Sequence, residues 1–331
     1  MGGDAGHDAA GHDAGHEAGR AAAVGLTPAQ QRTLAVLRRD PEPVVFDQQW
    51  IDDLTSTARD ALAALSARLG GAQLWVSKGM LTNVHGCEVQ YLEPDEFTWR
   101  PSTAAGFVAH LAIELALNWP GDPVPGEVVD AAIARLADQP DTRGAYVAGL
   151  TPADHADLRG RAVDRTTKFL QEFPPIPGSA HPVLESSIRW SPPGTITLAG
   201  KVDLVLGRPQ GTESRQVLID LKTGGRSFHH RDDLRFYALV QTLRTGVPPR
   251  RLVTYYFDEA ACDPEDVTTS VLEAALARTL AGIERHVELH AEARPPVLRV
   301  GASCRWCPIA ADCTEGSAYL RALAGDDDTA P

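Results

Sequence analysis

Gly200-Lys201-Val202-Asp203 and Val217-Leu218-Ile219-Asp220-Leu221-Lys222 decide how this chain is read. Both lie in runs with the two-residue alternation of a strand, in which successive side chains point to opposite faces. In the second run Asp220 and Lys222 share one face, and Val217, Ile219 and Leu221 share the other. In the first, Ile196, Leu198, Val202, Leu204 and Leu206 are expected on one face, with Asp203 opposed to them. Pairing the two strands brings two carboxylates and an ammonium together. Two carboxylates suit a hard divalent cation, and an ammonium beside them can orient a water. These three groups are the minimum for metal-dependent phosphodiester hydrolysis.

A charge inside an apolar strand is costly and needs a reason. Lysine usage points the same way. Lys78, Lys168, Lys201 and Lys222 are the only lysines among 31 basic residues. A lysine kept within a strand of so arginine-biased a chain implies work for a compact ammonium, which a planar guanidinium does not do. Asp-x-Lys alone is a common triplet, so its companions must be weighed.

With 331 residues, 43% of them hydrophobic, the chain can hold one large or two modest domains around a buried core. No run approaches a membrane span, and the N-terminus lacks the basic start and apolar stretch of a secretory signal. The expected compartment is the reducing cytoplasm. The net charge of −13 disfavours a nucleic-acid partner, yet binding needs only a local field. From Lys222 to Arg251 the chain carries Lys222, Arg226, Arg231, Arg235, Arg244, Arg250 and Arg251 against Asp232 and Asp233. Arg226 and Arg231 are therefore candidate phosphate contacts.

Residues 1–26, with His7, His12 and His16, form a low-complexity tail that is expected to be disordered. Helical patterns fill 27–73, broken at Pro41-Glu42-Pro43. A helix is expected from Ser102 to Asn118, with Phe107, Leu111 and Leu115 as its apolar stripe, and helical patterns continue from Gly126 to Phe173. Strand-like runs follow at 183–190, 195–206 and 216–222. Then come a helix over 231–244 ended by Gly246, a strand over 252–257, and a long helix from Pro264 to about Ala293. An acidic tail, 321–331, closes the chain. This order predicts an α/β fold, a mixed sheet flanked by helices. The helix between Lys222 and Leu252 is the crossover joining parallel strands.

Five cysteines are present: Cys87, Cys262, Cys304, Cys307 and Cys313. In a reducing compartment the C-x2-C-x5-C triplet signals ligation rather than disulfides. A structural zinc site usually takes two pairs of ligands, whereas a triplet plus one distant thiolate suits a 4Fe–4S cluster. Cys87 is the best fourth ligand and Cys262 is left unligated, with structural zinc as the alternative guest. Either one would tie the region before the core to the C-terminal end.

Taken together, these elements resemble the PD-(D/E)xK nuclease superfamily, in its RecB-like exonuclease branch with an iron–sulfur staple, over residues 74–320. The shared order is a lone cysteine (Cys87), a helical G-x3-H (Gly106-Phe-Val-Ala-His110), a strand with Asp203, a strand with Asp220-Leu-Lys222, a helical tyrosine motif (Tyr237) and three cysteines (Cys304, Cys307, Cys313). The resemblance implies a restriction-endonuclease-like core closed by a cysteine-ligated cluster. It implies Mg²⁺ or Mn²⁺ held by His110, Asp203, Asp220 and the Leu221 carbonyl, with Lys222 as the catalytic lysine and Tyr237 on a DNA-binding helix. It also implies a DNA exonuclease acting on ends or single strands, in repair or CRISPR adaptation. No G-x4-G-K-S/T motif is present, so any unwinding falls to a partner helicase. The competing reading is a non-catalytic DNA-binding or scaffold subunit, against which His110, Asp203, Asp220 and Lys222 together argue.

One position departs from the pattern. Asp233 stands where the family has glutamine, and an acid there would repel phosphate unless Arg226 or Arg231 pairs with it. Read without the resemblance, His110 and Glu114 are an ordinary polar pair one helical turn apart. Glu185 is either a further site carboxylate or a solvated strand residue. Trp75 and Trp306 are either base-stacking platforms or, as is commoner, core.

Overall fold

The computed structural model describes residues 25–38, 42–93, 98–227 and 229–327. Nearly all of the tail expected over 1–26 lies outside the described residues, as do the last four residues, 328–331. Two helices, α1 (Pro28–Leu37) and α2 (Gln48–Arg68), begin on the capping side chains of Thr27 and Asp47 and flank the expected proline break. A short strand β1 (Val44–Val45) lies between them. Strand β2 (Leu74–Val76) leads into α3 (Lys78–His85) and α4 (Glu88–Leu92). Four helices follow: α5 (Pro101–Leu117), α6 (Pro125–Ala137), α7 (Thr142–Ala148) and α8 (Pro152–Glu172). Next come β3 (Val183–Trp190), β4 (Ile196–Leu206), β5 (Glu213–Ser214) and β6 (Val217–Lys222). The chain finishes with α9 (His229–Thr245), β7 (Arg251–Tyr256), β8 (Ala261–Asp266), α10 (Thr269–His290) and α11 (Thr314–Asp327). Helix α11 thus runs into the stretch expected as an acidic tail. Among the described residues no helix is long and apolar enough to cross a membrane.

Six strands form one mixed sheet in the order β2-β4-β6-β7-β8, with β3 on the remaining edge of β4. Strands β6 and β7 are parallel, joined by α9 as the expected crossover. Strand β4 is paired along one edge with β3, over Leu198–Val205. Its other edge is shared, with β2 at Ile196–Leu198 and β6 at Leu204–Leu206. Residues 199–203 are left without a strand neighbour on that edge, and the functional side chains gather at this gap.

One face of the sheet packs on α2, α9 and α10, and the other on α5, α8 and α1. Such burial is worth about 1.5–3 kcal/mol per large aliphatic or aromatic side chain, and Leu198, Leu204, Ile219 and Tyr255 are among those fully enclosed. The single face expected from Ile196 to Leu206 does not hold. Ile196, Leu198 and Val202 join the α9 cluster, whereas Leu204 and Leu206 join the opposite one with Val217 and Ile219. The alternation shifts at Asp203. Opposite it in register stands Glu185, whose φ of 50° is left-handed. A left-handed glutamate in a strand is strained, and such strain concentrates at functional sites.

Two further expectations change. The helix expected from Pro264 starts at Thr269, because Ala261–Asp266 is an edge strand antiparallel to β7. Helix α5 buries its small residues, including Ala105, Ala109 and Ala112, while Phe107 of the expected apolar stripe is exposed. Alanine lets α6 and α8 approach closely, and the surrounding cluster covers nearly every side of α5.

Candidate functional site

The centre forms where β4 and β6 diverge. Asp203 turns into the gap, and its Oδ2 accepts the Leu221 backbone N–H at 2.7 Å, a bond the ladder would otherwise have given to a carbonyl. His110 approaches from α5, with Nδ1 3.6 Å from Asp203 Oδ1. Helix α5 comes this close because position 106 has no side chain: a Cβ on Gly106 would lie 3.0 Å from Thr223 Oγ1. Burial opposes ionisation of Asp203, but His110 and the Leu221 amide outweigh it and hold the carboxyl below its ordinary range. Burial likewise opposes protonation of His110, and Asp203 overrides it, so the imidazole titrates above its usual value. Glu185 completes the group. Ligand atoms of His110, Glu185 and Asp203 all lie within 4.8 Å of one another.

Asp220 stands just outside that triad, with its carboxylate 1% exposed. Its Oδ1 accepts from Lys78 Nζ at 3.1 Å. Its Oδ2 forms a buried ion pair with Lys222 Nζ at 2.8 Å, out of line for a hydrogen bond. Lys222 and Lys78 both reach Asp233 Oδ2 as well, at 3.3 and 3.6 Å. The acid in place of the family glutamine therefore pairs with two lysines and not with Arg226 or Arg231. Tyr237 is buried, with Lys78 Nζ 5.1 Å from its ring centroid. Its ring occupies the space over Gly200, where a Cβ would fall 2.3 Å from Tyr237 Cε1. The glycines of both motifs are thus clearances for neighbouring elements.

A cleft of about 620 Å³ opens onto this group, lined by His110, Glu114, Glu185, Asp203, Tyr237 and Lys78 among others. A second, of about 480 Å³, lies between α3, α9 and α10 and also has Lys78 and Asp233 in its wall. Lys78 was not singled out by any motif, and its one signal was the scarcity of lysine.

The basic stretch after Lys222 is largely neutralised. Arg226 pairs with Glu259 (2.7 Å), Arg231 with Asp263 (3.2 Å), Arg235 with Glu265 (2.5 Å) and Arg251 with Asp266 (2.6 Å). Three of these four acids sit on β8, which occupies the start of the helix expected from Pro264. Trp75 and Trp306, expected as core, are 56% and 59% exposed, and Arg189 stacks over Trp75 at 4.6 Å.

Cys87, Cys304, Cys307 and Cys313 line one small cavity with Leu298 and Ile309. Cys87 begins α4, and the triplet spans a 3-10 turn and the start of α11. Backbone N–H groups of Arg299, Gly301 and Gly316 donate to the sulfurs of Cys87, Cys304 and Cys313 at 3.5, 3.4 and 3.3 Å. Cys262 lies elsewhere, on β8, its thiol pushed up to about 12 by burial.

Against known proteins, the family model described as PD-(D/E)XK nuclease superfamily matches residues 81–314. Among solved structures, that of Scheffersomyces stipitis Rai1 is similar at 14% identity and a TM-score of 0.26, over 76% of this chain and 69% of that one. The same protein in complex with (3'-NADP)+ and calcium ion gives 13% and 0.25, over 80% and 72%. Likeness at that level carries no argument. No curated protein matches.

Proposed function

The chain belongs to the PD-(D/E)XK nuclease superfamily, and from that membership we propose that it is a metal-dependent DNA exonuclease acting on ends or single strands. The carrying observation is the gathering of His110, Glu185 and Asp203 beside the Asp220–Lys222 pair. The donors fit a divalent cation: one imidazole nitrogen from His110 and carboxylate oxygens from Glu185 and Asp203, with the buried Asp220 carboxylate beside them. Hard oxygen-rich sets suit Mg²⁺ or Mn²⁺. His110, Glu185, Asp203 and Asp220 would hold it, with the Leu221 carbonyl as a further donor. Such a cation, when bound, supplies Lewis-acid neutralisation of the phosphoryl charge.

The remaining work falls to side chains. Asp220 holds Lys222, whose ammonium orients the attacking water and stabilises charge on the phosphate. Asp233 fixes the same ammonium from α9. Tyr237 acts from beneath the site, positioning Lys78. Arg226 and Arg231 contact phosphate at the rim, exchanging part of their pairing with Glu259 and Asp263.

The cysteine cavity holds a 4Fe–4S cluster in this reading. Structural zinc is the alternative guest for the same four thiolates. The setting is cytoplasmic DNA repair, recombination or CRISPR adaptation, with a helicase as partner.

End-labelled single- and double-stranded DNA, offered with Mg²⁺, Mn²⁺ or a chelator, tests the proposal. Shortening from an end should require the cation. Asp220→Asn and Lys222→Ala should each cost at least roughly a hundredfold in rate while DNA binding is retained. Lys222→Arg should be nearly as inactive, because the guanidinium does not fit the ammonium's place. Wild-type protein that binds DNA but cuts nothing under either cation would instead mark a scaffold subunit.

A further inference from the structure

Three of the four lysines of this arginine-rich chain stand at the centre: Lys222 on Asp220, Lys201 on Glu185, and Lys78 on Asp220 and Asp233. The fourth, Lys168, forms an exposed pair with Asp164 on α8. The nuclease reading sets Lys222 on the attacking water and gives Lys78 no contact with the substrate. Yet Lys78 is held at some cost. It is the first residue of α3, after the Ser77 cap, where the positive end of the helix dipole disfavours a cation. Two carboxylates and the face of Tyr237 offset that cost. Its side chain is still 31% exposed, and it lines both the cleft of about 620 Å³ and that of about 480 Å³. A buried structural lysine would face neither.

We propose that Lys78 is a phosphate-binding residue, gripping the nucleic-acid backbone at the wall shared by the two clefts, with Asp220 and Asp233 as its resting counter-ions. The proposal rests on the nuclease reading. It explains the departure at position 233. Lys78, Lys222, Asp220 and Asp233 balance in charge, whereas glutamine at 233 would leave the quartet net positive before any substrate arrives. Asp233 holds Lys78 in reserve, and an incoming phosphate competes for the ammonium. An arginine at 78 would keep the charge and can stack on the Tyr237 ring, although its planar head spreads that charge where lysine presents a compact one to Asp220 and Asp233.

The test is binding of a fluorescent single-stranded oligonucleotide by anisotropy, over a salt series, with Ca²⁺ in place of Mg²⁺ to suppress cutting. Lys78→Gln should weaken binding roughly five- to tenfold and reduce the slope of log K against log salt by about 0.7. Lys78→Arg should restore most of that slope. Asp233→Asn should tighten binding in the wild-type background and not in the Lys78→Gln background, because it acts by releasing Lys78. If Lys78→Gln folds poorly, the Lys78→Arg and Asp233→Asn arms decide. An unchanged slope in Lys78→Gln overturns the proposal, as does tightening by Asp233→Asn that persists without Lys78. The failures separate cleanly. A wild-type protein that neither binds nor cuts DNA sinks the nuclease reading and this one together. One that binds and cuts while Lys78→Gln keeps the full slope sinks only this one.

Discussion

The charged centre and the cysteine cavity are both assembled from distant parts of the chain, but they are held in different ways. The centre rests on β4 and β6, two paired strands, with α5, α3 and α9 packed around them. Each of its charges already has a partner inside the protein. The cavity rests on a five-residue helix, a stretch without regular structure before Gly301, and a 3-10 turn. Backbone N–H groups donate to the sulfurs of Cys87, Cys304 and Cys313, and the cavity wall includes Arg299. The first is a site that the fold holds ready. The second is a site whose guest would help to hold the fold.

The largest expected effect follows from that asymmetry. A guest bridging Cys87 and Cys304 closes a loop of more than 200 residues, worth about 5 kcal/mol on chain-entropy grounds. At roughly 2–4 °C per kcal/mol for a chain of this size, Cys313→Ser should lower the melting temperature by about 10 °C and release iron. Cys262→Ser, on β8, should do neither. Stripping divalent cations from wild type with a chelator should leave melting within about 2 °C, although it stops cleavage. Equal destabilisation by both treatments would erase the distinction between the two regions.

A smaller effect sharpens it from the other side. Glu185 adopts a left-handed backbone that glycine accepts freely, and relief of such strain is worth about 1 kcal/mol. Glu185→Gly should therefore melt no lower than wild type, while its apparent affinity for Mn²⁺ in a titration falls about tenfold or more. A marked loss of stability would show that Glu185 serves the fold and not the cation.

Much of this was legible in the sequence because the strands obey simple rules. Strand-like runs located β3, β4 and β6, although the alternation of β4 shifts at Asp203; the Gly246 stop ended α9, and the order of elements gave a mixed sheet with a crossover. The spacing of charges singled out Asp203, Asp220 and Lys222, and resemblance added His110. The failures share a cause, namely that tertiary neighbours decided the outcome. β8 carries Asp263, Glu265 and Asp266 with a proline among them, so it lacks strand-like composition; its pairing with β7 and the arginines alongside create it. For the same reason the local positive field expected after Lys222 is largely cancelled. Asp233 looked like a liability because its partner Lys78 lies 155 positions away and belongs to no pattern.

The smallest expected effect is one of sign. In the metal-free protein, His110 at the centre has its pKa raised: burial opposes protonation but Asp203 prevails. Its contribution to stability is fully present below the unfolded value of about 6.5 and is lost as pH rises through the raised value. His286, near α4, is the reverse. Burial, then the neighbouring His290, lowers it to about 4, and its Nδ1 faces the Tyr91 hydroxyl at 2.6 Å. Tyr91 is itself pushed up to about 12 by burial, so near neutral pH an uncharged hydroxyl and an uncharged ring share this hydrogen bond. Between pH 6.5 and 4 the unfolded chain binds a proton that native His286 refuses, and stability falls with pH across that window. Melting curves of wild type, His110→Gln and His286→Gln in chelator, from pH 4 to 8, separate the two. Relative to wild type, His286→Gln should lose ground above pH 6.5 and recover it toward pH 4. His110→Gln should lose ground at low pH and recover it at high pH. The two differences from wild type should therefore run in opposite directions across that range. The same pH trend in both variants would mean that the two histidines sit in like environments, and the contrast between a self-paired centre and a dependent cavity would fail at the level of single protons.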